Sequence, residues 1–296
     1  PFGPWIAEAL GQTVAIRGLL DAEGEFTHRA DGRIQARFNA TSSEVDLRRH
    51  AKSPRRLLAL SDLKLAATLD PQRAHLDLHS IVDGDGRIEA DVALATPMEA
   101  DGALSGTLDL DLPNLGALVL FTDQLADPKG RIEGRIVLSG TRDTPGFEGG
   151  AKLHDFSADV PELGIALEQG EIALSGRSGG TFGLEGTVKL GEGIARLSGT
   201  FDPMAQDGMH AQLGIVGTDL AVMGTPDIHL VASPDLRLEL VKGRLKVRGN
   251  VEVPSARIDL EQLQSAVAPS SDVVIVDAET ASESILLDLD VGVKLG

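Results

Sequence analysis

The sequence predicts an all-β fold: a long, curled, mainly antiparallel sheet accompanied by one or two short helices. Three observations carry that expectation. Apolar residues recur at every second position from end to end, the period of a strand with one buried and one wet face. Short turn signals separate the runs, at Asp31-Gly32, Asp83-Gly84-Asp85-Gly86, Lys129-Gly130, Gly149-Gly150, Ser178-Gly179-Gly180 and Lys242-Gly243. Such spacing favours hairpins and meanders. The chain also carries 34 glycines, many inside the runs, where they permit bulges and tight curvature.

The elements follow in order. PWIAEAL, residues 4–10, fits a short helix with Pro4 in its first turn. In GRIQARF, Ile34, Ala36 and Phe38 share a face opposite Arg33, Gln35 and Arg37. In GTLDLDL, Leu108, Leu110 and Leu112 alternate with Asp109 and Asp111. LGALVLFTDQLADP fits a second helix, capped by Asn114, with Leu115, Leu118, Phe121 and Leu125 near helical spacing and Pro128 beyond its end. A buried strand through LVLF is the competing assignment.

Further on, GRIEGRIVLSG places Ile132, Ile136 and Leu138 on one face, with Gly134 in the same row. FGLEGTVKL places Phe182, Leu184, Val188 and Leu190 together, again with a glycine, Gly186, in the row. Leu236, Leu238 and Leu240, then Leu245, Val247, Val251 and Val253 after the Lys242-Gly243 turn, read as one hairpin with a single apolar face. Pro254 lacks a backbone donor and marks where pairing breaks or an edge begins. SILLDLDVGVKL gives a last apolar row, Ile285, Leu287, Leu289, Val291, Val293 and Leu295.

Composition narrows the function. A formal charge of −18 argues against general binding to nucleic-acid phosphates and against docking on anionic lipid headgroups. With no cysteine there are no disulfides, thiolate nucleophiles or thiolate metal sites. The absence of Tyr and the single Trp deprive the chain of the aromatic girdles of an outer-membrane barrel and of the residues favoured at binding hot spots. No run approaches the roughly 18 apolar residues of a membrane-spanning helix. The chain opens on Pro1 with neither an initiating Met nor a signal peptide, which reads as one elongated segment, residues 1–296, of a longer polypeptide whose anchor lies outside it.

Candidate chemistry is thin. HLDLH places His75, Asp77 and His79 on one strand face at about 6.6 Å intervals, which suits a solvated face better than a chelate. DGDGR, 83–87, has Arg87 where a calcium loop needs a ligand and reads as a hairpin turn. SDLK, 61–64, matches the S-x-x-K pattern but lies in strand alternation rather than on a helix. GEGIAR, 191–196, lacks the last glycine of a dinucleotide fingerprint. The basic run RRHAKSPRR, 48–56, is either a solvated loop or a grip for phosphate groups. No catalytic, metal or cofactor constellation emerges, so an enzyme is not expected.

Three stretches carry a family resemblance. Ser233-Pro234-Asp235, then GRLKVRGNVEVPSARIDLEQL, then APSSDVVIVD at 268–277 are together similar to the signature segment of the TamB family. TamB proteins are inner-membrane-anchored subunits of the translocation and assembly module, related to AsmA-like proteins. The stretch 130–176 resembles the family's looser repeat. The resemblance implies a periplasmic, inner-membrane-anchored protein, folded lengthwise like a taco shell around a hydrophobic groove. It also implies phospholipid as cargo between the two membranes, a TamA-like outer-membrane barrel as partner, and no catalytic residues. On that reading the groove is lined by the alternating aliphatics named above, from Ile132 to Val293.

A one-sided sheet must cover its apolar face, either with a second sheet or with something bound. Aliphatic lining without Tyr or Trp suits acyl chains, and it also suits an ordinary sandwich core. With the family resemblance added, the leading expectation is a lipid-conducting groove. The alternatives are a chaperone or scaffold that pairs strand edges with barrel strands, or a secreted adhesin with a solid core.

Overall fold

The computed structural model describes residues 15–29, 31–48, 52–54, 56–120, 122, 124–176, 180–202, 205, 208–241, 244–259 and 286–296. Within them lie β1 (Ala15–Gly18), β2 (Asp21–His28), β3 (Ile34–Arg48), β4 (Leu58–Leu69), β5 (Arg73–Val82), β6 (Gly86–Ala95), β7 (Leu104–Leu112), β8 (Ala126–Gly140) and β9 (Pro145–Val160). There follow β10 (Ile165–Gly176), β11 (Phe182–Leu190), β12 (Gly193–Asp202), β13 (His210–Thr218), β14 (Leu220–Gly224), β15 (Ile228–Val241), β16 (Arg244–Ile258) and β17 (Leu286–Leu295).

All 17 strands belong to one open sheet, as the alternation predicts. β1 and β2 lie end to end along one edge of β3. From β3 each strand pairs antiparallel with its successor through β13. β13 and β14 lie end to end along β15, which pairs with β16. β17 then lies parallel to β16. Parallel pairing requires a long crossover, and the segment 259–285 supplies the length. The turn-rich stretch 141–150 holds the β8–β9 hairpin, where Gly140 pairs with Pro145.

The strands are kinked by a recurrent device. Asp62, Asp127, Asp155, Gln169 and Asp219 have φ between +46° and +53°, and register shifts accompany them. Aspartate tolerates this left-handed conformation better than most residues. On β4, β8, β9 and β10 these kinks all fall in the half of the strand nearest the same rim of the sheet. Each kink absorbs a slip in alternation. Leu153 and Phe156 stay on one face although three positions apart, because Asp155 is the extra residue.

The helix expected from Asn114 is instead a single 3-10 turn, Gly116–Leu120, with the Asn114 side chain accepting a hydrogen bond from Gly116 N (2.7 Å). Apolar residues face both ways here. Leu115 and Leu118 belong to a cluster with Phe156, Ala158, Ile132, Leu153, Leu125 and Leu167, while Val119 and Ala117 pack with Leu57 and Leu47. A helix lying on one sheet face would have a single apolar stripe. A tight turn wedged between two walls does not. The helix expected at 4–10 lies outside the described residues.

The wedge also proves the curl. On a flat sheet at about 4.8 Å per strand, β4 and β8 would stand roughly 19 Å apart. Two adjacent residues bridge them: a Cβ at Gly116 would stand 2.9 Å from the Leu57 carbonyl just before β4, and one at Gly130 of β8 would stand 3.2 Å from Leu115 Cδ1. The sheet therefore bends until the β3–β4 wall faces the β8–β10 wall across the turn.

Candidate functional site: a continuous apolar face

The register joins the apolar rows of successive strands into one face. One row runs Ile88, Leu110, Gly134, Ala151, Leu174, Leu184, Gly199, Leu213, Leu238, Val247, Leu289, each paired with the next. At about 4.8 Å per strand it is roughly 48 Å long.

The other aliphatics singled out from the sequence lie on this same face. Ile132 stands between Leu112 and Leu153, Ile136 between Leu108 and Gly149, and Leu138 between Gly106 and Phe147. Val188 pairs with Ala195 and Leu190 with Gly193. Leu236 lies between Ile215 and Gly249, and Leu240 between Ala211 and Leu245. Leu245 meets Leu287, Gly249 meets Val291, Val251 meets Val293, and Val253 meets Leu295. Ile285 and the Lys242-Gly243 turn lie outside the described residues, as does the stretch 268–277. Pro254 ends pairing on one side only: β17 stops opposite Val253, while β15 continues to Ile258 past a register shift.

Glycines in the apolar rows bring the backbones close. A Cβ at Gly134 would stand 2.8 Å from the Ala151 Cβ, and one at Gly199 would collide with the Gln212 carbonyl. These positions have no room for a side chain, which lets the face turn inward.

Burial along the face is uneven. The well-packed clusters among the described residues sit beside the 3-10 turn, where Leu115 is 3% exposed and Phe156 8%. Beyond the turn, Leu184, Leu213, Leu236, Leu238, Leu240 and Val247 are half-buried. At β17 the row opens fully, with Leu289 at 63% and Leu295 at 76% exposure. Among the described residues no second sheet covers this face.

The opposite face is charged. Arg131 pairs with Asp111 (2.7 Å), Arg135 with Asp109 (3.5 Å), Lys189 with Glu168 (3.4 Å) and Lys294 with Glu252 (3.3 Å). Exposed pairs of this kind contribute little stability each. HLDLH lies on this face, with His75 beside Asp91 (3.3 Å) and His79 between Asp62 (3.6 Å) and Glu89 (3.3 Å). Glu171 accepts from Asp155 N and stands beside His154 (2.9 Å each), and the backbone donor first, then the imidazole, hold its carboxyl below the usual range. That carboxylate clamps the Asp155 kink from the neighbouring strand β10.

The basic run is largely structural where it is described. Arg48 holds Asp46 in a bidentate pair (3.0 and 2.7 Å) and donates to Ser53 O (2.8 Å), pinning the loop before β4. Arg56 reaches Glu44 (3.3 Å). DGDGR forms the β5–β6 hairpin, where Asp83 accepts from Ala59 N (2.9 Å). Ser61 and Lys64 are in strand β4, with Lys64 on Asp62 (2.9 Å).

The sequence reading missed the wedge and the aspartate kinks. The kinks had a signal: apolar alternation slips by one residue, with Asp or Gln inside the slip, as in Leu153-His154-Asp155-Phe156. The wedge had only its residues pointing to both sides.

The class the fold defines is an open, curled all-β sheet with one apolar face and one charged face. The comparisons narrow the class. The TamB N-terminal domain model matches residues 3–153, and the TamB C-terminal domain model matches residues 168–295. The chain belongs to the TamB family. It is 22% identical over 283 residues to the translocation and assembly module subunit TamB of Haemophilus influenzae, a match covering 95% of this chain and 22% of that protein. The chain thus spans about a fifth of that relative's length. No solved structure matches it.

Proposed function

We propose that the chain is part of a periplasmic bridge that binds phospholipid acyl chains on its apolar face and conducts them between the inner and outer membranes. The observation that carries this reading is the unbroken apolar row from Ile88 to Leu289, left half-open beyond the 3-10 turn. Each partly exposed Leu or Val forgoes up to about 1 kcal/mol of burial, so a dozen of them leave roughly several kcal/mol to be gained by a hydrophobic occupant. Acyl chains fit the need: fluid, featureless and indifferent to the absence of directional partners.

Groove lining falls to Ile136, Leu138, Leu184, Val188, Leu190, Leu236, Leu238, Leu240, Leu245, Val247, Val251 and Val253, with Leu287, Leu289, Val291 and Val293 at the open end. The charged outer face keeps the bridge soluble. Family membership supports a role in the translocation and assembly module, with a TamA-like outer-membrane barrel as partner, inner-membrane anchoring elsewhere in the full-length protein, and binding rather than catalysis. No helix among the described residues is long and apolar enough to cross a membrane.

A second reading, a scaffold for barrel assembly, draws on β17: among the described residues only its β16 side is paired. Photo-crosslinking separates the two. Phospholipid adducts from Leu238 and Leu184 support conduction. Barrel-protein adducts from β17, with none to lipid from inward positions, would replace it with the scaffold reading.

A further inference from the structure

We infer that Leu115 and the 3-10 turn Gly116–Leu120 are a built-in stopper that fills the groove along one rim, confining acyl chains there to the opposite half of strands β8–β10. The inference rests on the lipid-binding reading and adds a path to it.

The segment occupies the apolar face where a tail would otherwise lie. Leu115 clusters with Phe156 and Ala158, and Leu118, Leu125, Ile132, Leu153 and Leu167 pack against that trio. Its other side is held just as closely. Val119 packs on Leu57, and a side chain at Gly116 would stand 2.9 Å from the Leu57 carbonyl. On the far wall, a side chain at Gly130 would stand 3.2 Å from Leu115 Cδ1. Both walls thus close on Leu115 and Gly116, and a tail lying along this part of the rim would have to displace them.

The stopper's clusters do not reach the other ends of the same strands. On β8 the apolar row continues from Ile132, which packs against the cluster, to Ile136 and Leu138, which are not part of it. Leu138 leads to Phe147, whose ring stacks on Phe182 at 4.9 Å, and Phe182 pairs in turn with Phe201. One strand therefore carries a position packed against the stopper and one clear of it on the same face, six residues or about 20 Å apart.

Burial of Leu115 to 3% exposure favours the packed turn by about tenfold or more over an undocked one. The packed and clear positions should differ accordingly.

The test places a photo-reactive phenylalanine analogue at Ile132, Leu138 or Leu238 of the full 296-residue chain, loaded with phosphatidylethanolamine–phosphatidylglycerol vesicles. Adducts at Leu138 and Leu238, with at least a tenfold lower yield at Ile132, support the stopper. Comparable yields at all three positions overturn it while leaving lipid binding intact. No adduct at any position overturns the lipid reading and the stopper with it. Because a bulky analogue at Ile132 can disturb the cluster, the double variant Leu115→Ser/Leu118→Ser, which leaves Ile132 native, is assayed by native mass spectrometry. Its bound lipid should rise above that of the parent chain. A folded double variant with unchanged or reduced lipid counts against the stopper.

Discussion

Leu57, at the mouth of β4, packs against Val119 in the turn that leads into β8, although β5, β6 and β7 intervene in the hydrogen-bonded order. That contact closes the curl at one rim, and it divides the molecule into a packed region and an open one.

The division predicts unequal costs for similar substitutions. Leu115→Ala empties a site buried to 3% exposure and should lower unfolding free energy by roughly 2–4 kcal/mol. Leu184→Ala, on the half-open face, should cost less than about half as much. Urea titrations followed by circular dichroism measure both. Equal costs would mean that Leu184 is as well packed as Leu115.

The in-row glycines make a second prediction. Gly199→Ala drives a methyl group into the Gln212 carbonyl and should destabilise the chain by about 1–3 kcal/mol. Gly24→Ala is the control. Its Cβ meets Phe38 Cδ2 at 3.4 Å, ordinary contact, so the change should be neutral or stabilise by up to ~1 kcal/mol. Thermal midpoints of the pair test the assignment of inward curvature to backbone approach.

Gln169 bears the same conformation as the kink aspartates, at φ +50°, without a short side chain suited to it. Gln169→Asn should therefore be stabilising by some tenths of a kcal/mol, and Gln169→Val should cost about 1–2 kcal/mol. A Val variant as stable as the parent would show that the kink at β10 is dispensable.

Acid should loosen the loop before β4. The Arg48 guanidinium beside Asp46 holds that carboxyl below the usual carboxylate range, so the pair stabilises the fold at neutral pH. The sign follows from linkage: a carboxyl with a lower pKa folded than unfolded stabilises fully above its unfolded value, near 3.9, and loses that effect as pH falls through the folded value. The stability gap between the parent and Asp46→Asn should be constant from pH 7 to about 5 and shrink below about 4. A gap that widens in acid would contradict the pairing.

Much of this architecture was legible in the sequence, because alternation with period two leaves little choice of fold class. The GRLKVRGNVEV hairpin has the register its apolar row implies, with Leu238 opposite Val247 and Leu240 opposite Leu245. What resisted reading was long-range. Asn114 and the leucines after it satisfy helical spacing locally. Which state wins depends on two walls, β3–β4 and β8–β10, whose approach no local pattern encodes. The parallel placement of β17 is likewise set by partners far away in the chain, since its alternation serves either direction equally well.

The central claim is that the half-open face is filled by lipid. Native mass spectrometry of the purified chain, compared with Leu238→Arg, tests it most directly. The account predicts phospholipid masses on the native chain and their loss in a variant that retains its β-sheet circular dichroism. A lipid-free native chain, or a Leu238→Arg variant carrying the same lipid load, would contradict it.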